Sequence, residues 1–177
     1  MYKMILVIAL CVMSPATVRA ASPVAGEKIA SFQFLDNARV PITVWYYLPP
    51  AVEANTHVVF LLHGDSRTGR EARDLGLRHA RTDGFILLAP EFDESHFPGD
   101  SYSFGGMVDT TGRPRPRNEW SLFIIEQLFD NIRTRWKIET TTYDAIGHSG
   151  GAQFLHRLVL FVPEARFGRA IASSPGR

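Results

Sequence analysis

Apolar and polar positions along this chain alternate in some stretches and cluster in others, and each pattern predicts an element. Positions 29–35 alternate in part. Positions 42–48 set Ile42, Val44 and Tyr46 against Thr43, Trp45 and Tyr47. With the turn-forming pair Asp36-Asn37 between them, these two stretches predict a hairpin, which Pro49-Pro50 ends. Positions 57–62 are different: Val58-Val59-Phe60-Leu61-Leu62 is an unbroken apolar run, as expected of a strand buried on both faces. A second such run at 85–89 ends at Pro90. Between the two, 70–81 carries apolar positions at helical spacing, and Asp83-Gly84 is a helix stop.

The strongest helical period lies further on. Trp120, Ile124, Leu128, Ile132 and Trp136 recur every four residues, with Phe123, Ile125 and Phe129 beside them. The pattern predicts a helix from Glu119, capped by Asn118, with Arg133 and Arg135 at its negative end. A strand at 140–146, a glycine turn, an apolar helix at 152–162 and a short strand at 168–173 complete the order. Alternation of strands with helices predicts an α/β fold, a mostly parallel sheet with helices on both faces. The segment 91–117 has no period and is expected to be a long loop, functional or mobile, overhanging the carboxyl ends of the strands.

The glycine turn brings in chemistry. Gly147-His148-Ser149-Gly150-Gly151 reads Gly-x-Ser-x-Gly between a strand and a helix, where a sharp bend lifts a serine hydroxyl to its tip. Side chains have no room at 147 and 151 in such a bend, and Ser149 is expected to carry a strained backbone. A serine hydroxyl attacks a carbonyl only with a base to take its proton and amides to hold the oxyanion. Here Gly150 supplies one amide, and the loop after the 57–62 strand supplies the other from Asp65 or Ser66. His63-Gly64 marks where that loop turns. Glycine there lets the backbone approach a substrate, and His63 is expected to pack the loop rather than act as base.

These motifs resemble the α/β-hydrolase fold. The run from Gly147 to Phe154, with Ala89-Pro90-Glu91-Phe92 and the tyrosine-glycine loop before Glu119-Trp120, is similar to secreted bacterial hydrolases related to polyhydroxybutyrate depolymerases and feruloyl esterases, over about residues 40–177. The resemblance implies a serine hydrolase with Ser149 as nucleophile, an ester substrate, small or polymeric, and no cofactor. It also implies that acid and histidine follow the nucleophile on later strands. After Ser149 the sequence holds one acid, Glu164, and one histidine, His156, neither at such a place. The domain is therefore expected to be incomplete at its C-terminal end, with an open sheet edge, an apolar patch beside the 58–62 and 85–89 strands, and poor solubility. A catalytically inactive fragment or binding module remains the competing reading. Of the upstream histidines, His148 points away from its neighbour in a sharp turn and His96 lies in the long loop. Asp93, Glu94 and His96 lack metal-ligand spacing, so no metal is expected.

Composition narrows the picture. Residues 1–20 read as a secretory leader: Lys3, then the apolar run 4–13, then Val18-Arg19-Ala20 at the cleavage point. The run is too short to span a bilayer. This leaves one domain over 21–177, expected to be secreted or periplasmic and free of the membrane once the leader is cleaved. The chain's one cysteine, Cys11, falls within the leader, and bulky Leu10 before it does not suit lipid attachment. Net charge is +1, and loss of Lys3 and Arg19 leaves 17 basic against 18 acidic residues, which argues against nucleic acid as partner. The alternating Arg113-Pro114-Arg115-Pro116-Arg117 reads as a stiff solvated loop.

Overall fold

The computed structural model describes residues 25–37, 40–109 and 111–175; the leader expected at 1–20 lies outside them. Six strands form one sheet in the order β1-β2-β4-β3-β5-β6. They are β1 (Lys28–Leu35), β2 (Pro41–Leu48), β3 (Val58–Leu62), β4 (Ile86–Glu91), β5 (Tyr143–His148) and β6 (Phe167–Ser173), with helices α1 (Gly69–Asp83), α2 (Phe123–Trp136) and α3 (Gly150–Phe161) between them. The expected hairpin is present, with Lys28 opposite Leu48 and Leu35 opposite Pro41. Strand β2 runs antiparallel to β4, while β3 is parallel to both β4 and β5, and β5 to β6. Among the described residues β6 is an open edge.

The unbroken apolar runs are explained by burial on both sides. Val58, Phe60 and Leu62 of β3, with Ile86 and Leu88 of β4, point into the core shared with Ile124, Leu128, Phe129 and Ile132 of α2 and Phe154, Leu155 and Leu158 of α3. The alternate positions Val59, Leu61 and Leu87 face α1, with Tyr47, Leu77 and Ala80. Helix α1 lies close to the sheet because residue 76 is glycine: a Cβ there would stand 2.7 Å from Leu87 Cδ2. Gly84 ends α1 in the left-handed region at φ 71°, its amide donating to Ala80 O.

Several boundaries differ from the sequence reading: β4 runs through Pro90 to Glu91, α3 begins at Gly150 rather than 152, and α2 and β5 shift as well. Helix α2 begins at Phe123, not Glu119. Residues Arg117–Glu119 form a 3₁₀ turn after Pro116, and Trp120 is extended at φ −70°, ψ 132°. Its indole N–H donates to Arg115 O at 3.1 Å, so Asn118 caps nothing. Strand β5 begins at Tyr143 and runs on through Gly147 and His148, pairing with Gly147↔Ala172 and His148↔Ser173. Upstream, the Glu139 and Thr140 amides turn away to Ala54 O.

The long loop is anchored, not loose. The Arg67 guanidinium donates to Phe92 O, Phe97 O and Gly99 O, at 3.0, 3.0 and 2.6 Å, and lies over the Tyr102 ring. Phe92, Tyr102 and Phe154 stack together beneath it. The 113–119 stretch is exposed, and Arg117 pairs with Glu164. On the far side of the molecule Glu126 accepts from the Tyr143 hydroxyl, the Arg166 amide and Arg166 Nε, tying α2 to the start of β6. Burial, reinforced by that bond to Glu126, pushes the Tyr143 hydroxyl well above its ordinary pKa.

Candidate active site

Ser149 occupies the one-residue link between β5 and α3, at φ 53°, ψ −119°. A side chain with a Cβ rarely adopts this backbone, and the surrounding bonds hold it there. The Ser149 amide donates to Ser173 O at 3.1 Å, and Ser149 O accepts from the Ala152 and Gln153 amides. The bend is built on absent side chains. A Cβ on Gly147 would overlap the Gly151 backbone, and one on Gly151 would stand 2.5 Å from Leu62 O and 2.6 Å from His63 O. A Cβ on Gly64 would reach 3.3 Å from Ser149 Cβ. Gly64, Gly147 and Gly151 are therefore contact surfaces between the turn and the loop after β3.

That loop is held by His63. The imidazole is buried, its Nδ1–H donating to Gly64 O at 2.8 Å and its Nε2 accepting from the Phe92 amide at 2.9 Å. Both nitrogens are occupied by backbone, so His63 cannot take a proton from Ser149. Burial lowers its pKa, against the bond to Gly64 O, and keeps the ring neutral. The Tyr102 hydroxyl donates to His63 O at 2.8 Å from below.

The expected oxyanion residues are brought together. A Cβ on Gly150 would lie 3.7 Å from the Asp65 amide nitrogen and would overlap the Asp65 carboxylate. Gly150 is the first residue of α3, where amides have no intrahelical acceptor. Ser66 is exposed, its hydroxyl bonded to Thr68 Oγ1 at 3.0 Å. Ser149 Oγ is half-buried and donates to Asp65 Oδ2 at 3.5 Å.

No histidine among the described residues bonds to Ser149. His148 is exposed, and His156 lies exposed along α3. His96 Nδ1 pairs with Asp93 within its own loop at 2.9 Å. Burial alone would raise the Asp93 carboxyl, but bonds from Ser95 and His96 outweigh it and hold it below the usual carboxylate range. Below Ser149, a groove of about 890 Å³ runs down the α1 face of the sheet, lined by Val59, Leu61, Leu87, Ile146 and Ile171. Its exposed apolar residues are Leu75 of α1 and Ile171 of β6, whereas Val59 and Leu87, on the strands expected to border an apolar patch, are buried.

Arg67 and Tyr102 escaped the sequence reading. Both act on backbone carbonyls of segments up to 39 residues away, which leave no local pattern. The Asp65 side chain was missed too, because the motif draws attention only to the amides of that loop.

No functionally curated protein matches the chain. Among solved structures, poly(aspartic acid) hydrolase-1 of Sphingomonas sp. KT-1 is 39% identical, with a TM-score of 0.79, over 81% of this chain and 55% of its own. The poly(3-hydroxybutyrate) depolymerase of Bordetella parapertussis is 31% identical, with a TM-score of 0.78, over 84% and 52%. The S-formylglutathione hydrolase of Agrobacterium tumefaciens, at 20% identity and a TM-score of 0.62 over 86% and 59%, shares the fold. The chain spans about half the length of these proteins. The family model described as "Putative esterase" matches residues 38–176, and with the serine turn, its glycine contacts and the α/β-hydrolase sheet in place, the chain belongs to that esterase family.

Proposed function

We propose that this chain carries the nucleophile half of a serine-type carboxylic ester hydrolase. Ser149 Oγ attacks the ester carbonyl. Its proton passes to a histidine, oriented by an acid, both supplied from outside the described residues. The oxyanion is held by the amide of Gly150 and by that of Asp65 or Ser66. The tetrahedral adduct expels the alcohol, and water then releases the acid from Ser149. The observation that carries the reading is the left-handed Ser149 backbone, pressed against Gly64 with Gly150 beside the Asp65 amide. The substrate is an ester, small or polymeric, a class supported by the esterase family and by the poly(3-hydroxybutyrate) depolymerase among the relatives. Residues 1–20 direct secretion.

A second reading has its own support. With no imidazole bonded to Ser149, the chain as written keeps the fold without turnover, as a binding module or inactive fragment. Hydrolysis of a nitrophenyl ester and labelling by a fluorophosphonate, each compared between wild type and Ser149→Ala, separate the two. Ser149-dependent turnover or label supports the hydrolase, and identical behaviour of the two proteins supports the module.

A further inference from the structure

Asp65 differs from the other loop carboxylates. Asp93 is consumed by its own turn, accepting from Ser95 and His96, and Asp109 likewise accepts from Thr111 and Arg113. Asp65 accepts no backbone amide and has no cationic partner among the described residues. Arg67, two residues on, is turned to the carbonyls of Phe92, Phe97 and Gly99 and to Glu94. The exposed Asp65 carboxylate lies instead along the serine turn, with Oδ2 at 3.5 Å from Ser149 Oγ and Oδ1 against Gly150.

We propose that the Asp65 carboxylate is a specificity-determining group that selects esters bearing an ammonium within two or three bonds of the scissile carbonyl. The inference rests on Ser149 being the nucleophile. The oxyanion of acyl transfer forms beside the Gly150 amide, so a carboxylate over Gly150 with no cationic partner meets a second negative charge as the reaction proceeds. A substrate ammonium close to the carbonyl lies between the two and pairs with Asp65 in a charge-assisted hydrogen bond. Uncharged esters lack this compensation, and carboxylate-bearing esters add to the repulsion. The residue thus serves the site twice: its backbone at the oxyanion, its side chain toward the substrate.

Boronic acids test this on the chain as it stands, because boron takes the place of the carbonyl carbon and Ser149 Oγ adds to it. The probes are 1-aminoethylboronic acid, its uncharged isostere isopropylboronic acid, and 2-carboxyethylboronic acid, with binding followed by boron NMR and calorimetry. Wild type is expected to bind the amino probe about threefold to tenfold more tightly than the isostere, and the carboxylate probe most weakly. Asp65→Asn is expected to bring all three within about twofold, Asp65→Glu to retain part of the preference, and raised salt to narrow it. An amino-probe preference unchanged in Asp65→Asn, or no binding of any probe, overturns the assignment. A preference that vanishes in Asp65→Asn, in a wild type that shows no tetrahedral boron signal, upholds Asp65 as the ammonium's partner while removing the nucleophile reading.

Discussion

The two faces of the sheet are made by alternate residues of the same strands, yet they carry different weight. On the α2/α3 face, Phe60, Phe129 and Tyr143 interlock with ring centroids 5.0 Å apart, and two helices seal them from water. On the α1 face one helix covers Tyr47, Val59 and Leu87, while Leu75 is 80% exposed and Ile171 54% exposed along the groove. Side chains of similar apolarity therefore differ in burial, and hence in free energy, according to what lies over them. An apolar run predicts a strand, but the layer above it decides which half of the run stabilises the fold.

The largest expected effect is on the sealed face. Phe129→Ala should cost about 3–5 kcal/mol in urea unfolding, whereas Leu61→Ala on the other face should cost under about 2 kcal/mol. Equal losses would break the comparison. Next, Glu126→Gln leaves Arg166 paired with Asp130 alone at the margin of the sealed core. A loss of about 2 kcal/mol is expected, reduced by the partial exposure of Arg166, and chevron or equilibrium denaturation measures it.

A pH scan sharpens the comparison at the loop between the faces. The folded pKa of His63 is lowered by burial, so its contribution is intact above the unfolded value of about 6.5 and is lost as pH falls through the folded value. The melting temperature should drop across that window, and His63→Gln, though less stable at neutral pH, should show a shallower drop. The smallest stability effect belongs to the groove: Leu75→Ser or Ile171→Ser should change folding by less than about 0.5 kcal/mol. The same changes should reduce self-association in light scattering, and a monodisperse wild type would remove the reason to expect it.

Much of the architecture was legible because its causes are local. The hairpin follows from period-two alternation around Asp36-Asn37, the parallel strands from runs such as 58–62, and the serine bend from its flanking glycines. What was not legible depended on distant partners. The start of α2 is set by Pro116 and by the reach of the Trp120 indole to Arg115 O. The order of the long loop comes from Arg67 gripping carbonyls 25 to 32 residues away, and backbone acceptors have no residue signature. At the site, the motif marked Ser149 and its amides, while the place of the Asp65 side chain beside Ser149 and Gly150 needed the loop and the helix start to be seen together.

The backbone at position 149 has a consequence for anyone evolving this protein. Its left-handed φ suits a residue without a side chain, so Ser149→Gly should raise thermal tolerance by about 1 kcal/mol. Paired calorimetry of the two proteins would show whether it does. A directed-evolution campaign scored only on heat survival would then drift toward losing the hydroxyl proposed as nucleophile, and durability and chemistry would have to be selected side by side.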